Sequence, residues 1–171
     1  MPNITYRPLT TDDLPLRMKW INDPLVAQYL SFRGIDDLAF QQNWLKWYLE
    51  DESKEIFIIM ADEKPIGQIG LLDIDLYDKN ASLNIIIGEA DYRGKGIGKE
   101  AIKHILNHAF NYLDLHKVWL DVHTENIAGI KCYTACGFIQ EGRYIDQICE
   151  DDGHYADQFG MYILNPKHEK S

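Results

Sequence analysis

The segment Arg93-Gly94-Lys95-Gly96-Ile97-Gly98-Lys99 carries the clearest chemistry in the sequence. Alternate glycines remove side chains, so consecutive backbone N–H groups can converge on an anion. A helical apolar period begins at once behind them, which brings the positive end of a helix dipole, and Arg93, Lys95 and Lys99 add full charges. In a chain of net charge −10, three cations within so short a stretch read as a phosphate site. Two nucleotide readings fail on residue identity. A Walker loop needs four residues between its first Gly and a Gly-Lys pair, then Ser or Thr. Here Lys95, Gly96 and Ile97 are one too few, and Glu100 stands where the hydroxyl should be. A dinucleotide fingerprint needs Gly at position 99, where Lys99 stands, and a parallel βαβ setting.

Other residue pairs have metal-like spacing. Cys132 and Cys136 are four apart on an expected helix, and His104 and His108 are four apart on another. No second ligand pair accompanies the cysteines, and the histidines fall on the polar side of their helix, so no metal site is expected. Three cysteines without a secretory leader read as reduced thiols in a cytoplasmic protein.

The elements that must position the loop follow from periodicity. Residues 4–7 alternate as a short strand. Thr10 to Asp13 offers helix caps ahead of Leu14, Met18 and Ile21, and Asn22-Asp23-Pro24 stops that helix. A second helix should follow Asp36-Asp37 with Leu38, Gln42, Leu45 and Leu49 on one side. Phe40, Trp44, Trp47 and Tyr48 widen its apolar face, as core, substrate wall or dimer contact. Residues 55–60, 66–74 and 81–88 are β-rich runs joined by short polar turns, which means antiparallel hairpins. Ile97, Ala101, Ile102, Ile105, Leu106, Ala109, Phe110 and Leu113 follow a period near 3.6. Val118, Leu120 and Val122 then alternate with Trp119, Asp121 and His123. Asn126 is a good N-cap, Gly137 a good stop, and two extended segments close the chain around a turn at Gly153. The order β-α-α-β-β-β-α-β-α-β-β is a mixed α/β domain spanning residues 1–171. Its acidity argues against nucleic acid, and no apolar run is long enough to span a membrane.

With these elements in place, residues 93–98 match the form Gln/Arg-x-x-Gly-x-Gly/Ala, and the sequence resembles the GNAT superfamily of N-acetyltransferases. Residues 115–120 as strand, Glu125-Asn126 opening a helix, and the run from Cys132 to Phe138 fit the same family. The closing stretch from Tyr155 to Leu164 is similar to the branch holding ribosomal-protein and spermidine N-acetyltransferases. The likeness covers nearly the whole chain, most closely from Ala81 onward.

The resemblance implies a largely antiparallel central sheet flanked by helices, with acetyl-CoA as co-substrate and no metal. It places the pyrophosphate on Arg93, Gly94, Lys95, Gly96, Ile97, Gly98 and Lys99. It pairs the backbone of Ile85, Ile86 and Ile87 with the pantetheine arm, where an apolar strand strengthens an N–H aimed at a developing oxyanion. Asn126 would touch the pantetheine amides, and Lys131 is either a further contact or a solvated helix charge. Tyr133 falls where the family places its proton donor to the departing thiolate. A phenol with an ordinary pKa near 10 suits that role, against the plainer reading of a core tyrosine. A lysine-like amine must lose a proton first, at about 4.6 kcal/mol at pH 7. Relatives often carry Glu for this on the pantetheine strand, but Ser82-Leu83-Asn84 stands there, and the base is unassigned.

The acceptor is expected to be a small primary amine, a polyamine such as spermidine or an amino sugar. The other readings are a protein N-terminus of the ribosomal-protein type, or a non-catalytic acyl-CoA sensor. Arg33, after the first helix, would repel a polycation, while Asp36 beside it would attract one. Homo-oligomerisation is left open.

Overall fold

The computed structural model describes residues 2–30 and 37–168. Strand β1 (Ile4–Pro8) leads to α1 (Leu14–Ile21), a short α2 (Pro24–Ala27) and α3 (Leu38–Glu50). Strands β2 (Glu55–Ala61), β3 (Lys64–Asp75) and β4 (Asn80–Ile87) follow as antiparallel hairpins. Next come α4 (Ile97–Asn107), β5 (Lys117–His123), α5 (Ile127–Ala135), β6 (Ile139–Cys149) and β7 (Tyr155–Leu164). The seven strands form one sheet in the order β1-β2-β3-β4-β5-β7-β6. Every pairing is antiparallel except β4 with β5, which α4 joins as a crossover. This is the mixed, largely antiparallel sheet with flanking helices that the sequence implies.

Helix α4 is placed by its apolar stripe. Ile97, Ala101, Ile102, Ile105 and Leu106 are buried, and Ala109 and Phe110 continue the stripe through a wide turn over His108–Tyr112. Each buried Ile or Leu contributes about 1.5–3 kcal/mol, which outweighs the roughly 1 kcal/mol that Gly98 loses as a helix residue. The stripe packs on Ile69, Leu71, Ala81, Leu83, Val118, Leu120 and Val122 to form the main core. A second core lies on the other face, where Trp20, Ile21 and Leu45 cover Ile56, Ile58 and Ile86.

Three local expectations are corrected. The wide turn ends the regular α-helix at Asn107, earlier than Leu113. Its polar side is exposed as expected at Lys99, Lys103, His104 and Asn107, with His104 stacked on Tyr6 at 3.7 Å, and His108 is half-buried with Nε2 2.5 Å from Glu55 Oε2. Asp23-Pro24 does stop α1, but it also starts α2, because Asp23 Oδ1 accepts from Leu25 N–H and proline suits a first helical position. Helix α3 does begin after Asp37, whose carboxylate accepts from Ala39 N–H at 2.8 Å. Its inward face, however, is Gln41, Trp44, Leu45 and Tyr48, with Leu38, Gln42 and Leu49 exposed. Polar bonds decide that rotation. Gln41 Oε1 accepts from buried Arg17, and the Tyr48 hydroxyl accepts from Ile56 N–H.

Candidate active site

Strands β4 and β5 pair only through Asn80–Lys117, Ala81–Val118 and Ser82–Trp119. Beyond that vertex both strands continue, but apart from each other. The outer edge of β4 stays bonded to β3 as far as Ile87–Gly67, and that of β5 to β7 as far as His123–Gln158. The two facing edges, residues 83–87 and 120–123, therefore present backbone polar groups with no strand partner among the described residues. Such groups need a hydrogen-bonding partner, and an extended amide-bearing ligand supplies one. Ile85, Ile86 and Ile87 all lie on this open edge; Ile86 faces the second core, while Ile85 and Ile87 pack on the main one.

The glycine loop closes the wide end of the split. Gly94 has φ +72° and Gly96 φ +82°, left-handed conformations that favour glycine. Gly96 is the N-cap of α4, so the free N–H groups of the first turn open beside it. A Cβ built on Gly94 or Gly96 would meet nothing within 4 Å, so open space surrounds the loop backbone. Lys95 is exposed near the Tyr92 ring, and the Lys99 carbonyl accepts from the Cys136 thiol at 3.8 Å. Arg93 departs from expectation. Its Nε donates to the Ile87 carbonyl at 2.8 Å, and its Nη2 to the Gly88 carbonyl at 2.8 Å and to Asp23 at 2.7 Å. These bonds turn the guanidinium toward α2 and the end of β4, so its first task is to hold the loop in place.

Helix α5 stands on the α4 side of the split. Asn126 caps it by accepting from Gly129 N–H at 2.9 Å, which orients its amide. Tyr133 is partly buried, with its ring edge-on to Phe138. Burial, with smaller effects from Cys132 and Cys136, pushes its phenol well above the ordinary value, so it remains a protonated donor at neutral pH. Burial likewise raises both thiols, which keeps them neutral. Lys131 is exposed on the helix surface. The fold thus brings the loop, the open edge of β4, Asn126 and Tyr133 around one split, while Lys131 lies exposed on α5. Arg33 and Asp36 lie outside the described residues.

The other face of β5 holds groups that sequence reasoning passed over. Trp119, Asp121 and His123 alternate away from the main core, a period that was visible in the sequence without a reason to attach function to it. Trp119 donates to Asn80 Oδ1 at 3.2 Å, and burial raises the Asp121 carboxyl. An open pocket of about 270 Å³ lies here, lined by Trp119, Asp121, Glu141, Tyr144 and Gly160 among others. Among the described residues, no group of three His, Cys, Asp or Glu is arranged to hold a metal. None of their helices is long and apolar enough to cross a membrane.

Comparison with known proteins agrees with this geometry. A family model described as an acetyltransferase (GNAT) domain matches residues 3–139. The spermidine N(1)-acetyltransferase of Vibrio cholerae serotype O1 is 30% identical over 150 residues, 87% of this chain and 80% of that protein. The crystal structure of spermidine N-acetyltransferase from Vibrio cholerae in complex with CoA and spermine has a TM-score of 0.90 at 27% identity, with 98% of each chain covered. A dodecameric structure of the Vibrio cholerae enzyme has a TM-score of 0.83 at 26% identity, covering 98% of this chain and 96% of that one.

Proposed function

The chain belongs to the GNAT acetyltransferase family and is an acetyl-CoA-dependent N-acetyltransferase, and from that premise we propose that it acetylates a polyamine. The observation that carries the reading is the split between β4 and β5, with the glycine loop at its wide end and Tyr133 on its flank. The pyrophosphate sits on the backbone of residues 94–98 at the N-terminus of α4, with Lys95 and Lys99 supplying charge. Pantetheine lies along residues 85–87, and its amides meet the oriented Asn126. The amine attacks the thioester carbonyl directly, and Tyr133 gives its proton to the sulfur as the C–S bond breaks.

A polycation suits the acceptor side. The chain carries a net charge of −10, and Asp121 faces a pocket walled by Trp119 and Tyr144 with no ion pair among the described residues. The relatives named for spermidine point the same way. The exposed apolar residues Leu38, Phe40, Trp47 and Leu49 on α3 support assembly into a homo-oligomer. Three free cysteines support a reducing, cytoplasmic setting.

The test is release of free CoA thiol with spermidine, spermine, amino sugars and peptide N-termini as acceptors, each at rising salt. Polyamines should give the highest kcat/KM, and it should fall steeply with salt because screening shortens electrostatic steering. Preference for an amino sugar with a flat salt response would reject the polyamine and leave the transferase in place. Thermal stabilisation by acetyl-CoA without turnover on any amine would favour a sensor.

A further inference from the structure

The acceptor ammonium must lose a proton before it attacks, and Ser82-Leu83-Asn84 on β4 offers no carboxylate for it. His123 ends β5 on the unpaired edge of the split, with its side chain on the face away from the main core. The ring is only 3% exposed, yet among the described residues neither nitrogen makes a hydrogen bond. Its Nε2 lies 3.1 Å from Glu150 Oε1. A buried imidazole with both nitrogens unsatisfied needs an explanation, because each unmade bond costs about 1–3 kcal/mol. Packing alone does not supply one, since an apolar residue would fill that space without the loss.

Its surroundings explain the placement. Glu150, at the far end of β6, is 17% exposed and faces Nε2. The Tyr29 ring, just before the segment expected to select the acceptor, lies 5.8 Å away. Gln158 pairs opposite on β7, and Asp121 stands two residues back on the same face. Glu150 and Asp121 are the carboxylates of this set, Tyr29 adds a phenol and Gln158 is neutral. Asn126 N–H donates to the His123 carbonyl at 2.9 Å, so the histidine is joined directly to the cap of α5.

We propose that His123, oriented by Glu150, is the proton acceptor for the attacking amine. The assignment rests on the transferase reading above. Glu150 stands at Nε2, which leaves Nδ1 to take a proton from the acceptor ammonium. The neutral amine then forms the N–C bond at the thioester carbonyl. The C–S bond breaks as Tyr133 protonates the sulfur. The second proton lost by the nitrogen restores the Tyr133 phenol, and the imidazolium returns its proton to water. The balance is one ammonium and one acetyl thioester giving one amide, one thiol and one proton.

The experiment is the pH profile of kcat/KM on whichever primary amine the wild-type protein turns over best, for wild type, His123→Gln, His123→Ala, Glu150→Gln and Asp121→Asn. The proposal expects a 10²–10⁴-fold loss at pH 7 in both His123 variants, the usual worth of proton transfer by a positioned group. It also expects recovery as pH rises toward the amine's own pKa, and partial rescue of His123→Ala by added imidazole. Glu150→Gln should lower kcat/KM at pH 7 by less than the His123 variants do, because the ring loses the group beside Nε2 that orients it. Acetyl-CoA should still raise the melting temperature of the His123 variants, which separates loss of the base from loss of fold or cofactor. An unchanged acid limb in His123→Gln, or a limb abolished by Asp121→Asn instead, overturns the proposal. A wild-type protein inactive on every amine refutes the transferase reading, a result distinguishable from either of these.

Discussion

Arg93 Nη2 and Asp23 Oδ2 lie 2.7 Å apart, which pins the glycine loop to the start of α2 from seventy residues away in sequence. The same carboxylate caps α2 through Leu25 N–H at 3.0 Å. Asp23 therefore holds a helix end and a loop end at once. Its carboxyl is held below the usual range, first by the Arg93 hydrogen bond and then by that from Leu25.

Asp23→Asn should raise KM for acetyl-CoA several-fold with little change in kcat, because the loop is loosened while the reacting groups stay in place. The pH sign follows from the depressed folded pKa. Stability from Asp23 is present above the unfolded value near 3.9 and is lost as pH falls through the lower folded value. Melting curves should therefore show a constant gap between wild type and Asp23→Asn from about pH 5 to 8. The gap should close only in more acid buffer.

Gly96→Val tests the loop as an anion cradle. Gly96 has φ +82°, where a side chain costs about 1–2 kcal/mol, although a Cβ there would clash with nothing. The protein should fold with a melting temperature lowered by about 2–8 °C. The stabilisation that acetyl-CoA confers by mass action should vanish, because the branched side chain fills the approach to the backbone. A folded variant with unchanged affinity would remove the loop from the cofactor site.

Tyr133→Phe keeps the ring against Phe138 and deletes the hydroxyl. Where chemistry is rate-limiting, kcat should fall by roughly 10²–10⁴ with cofactor affinity preserved. A near-normal kcat would return Tyr133 to a packing role.

Arg17 offers a stability test away from the site. It is 5% exposed, among the described residues its Nη1 reaches only neutral Gln41 at 3.4 Å, and burial pulls its pKa down to about 10. The Trp44 ring 3.9 Å from the guanidinium returns about 2 kcal/mol, less than the usual penalty for an unpaired buried charge. Arg17→Met keeps the volume and removes the charge. It should raise the melting temperature by a few degrees, measured by calorimetry, whereas Arg17→Ala should lower it by leaving a cavity.

Much of the molecule was legible in residue order because its causes are local. The apolar stripe of α4, the caps at Asp37 and Asn126 and the left-handed glycines of the loop are each set within a few residues. The hairpins are equally local: Asp62 and Glu63 both take positive φ to turn β2 into β3. Propensity, capping and turn chemistry act at that range, so spacing placed these elements and the loop, and the family resemblance they carry implied the role of Tyr133.

Tertiary structure decided what depends on partners distant in sequence. The rotation of α3 follows from Arg17 on α1 and Ile56 on β2, which no helical period in α3 could reveal. Arg93 is a free cation on paper, but the fold supplies Asp23 and two carbonyls, and a planar guanidinium satisfied on that side turns away from the loop. The split between β4 and β5 arises because each strand keeps its outer neighbour and loses the other, a property of the sheet rather than of either strand. His123 occupies an ordinary alternating position in the sequence. Only when β7 and the end of β6 fold beside it does it become a buried imidazole facing Glu150, because burial and proximity are set by the whole chain and not by its order.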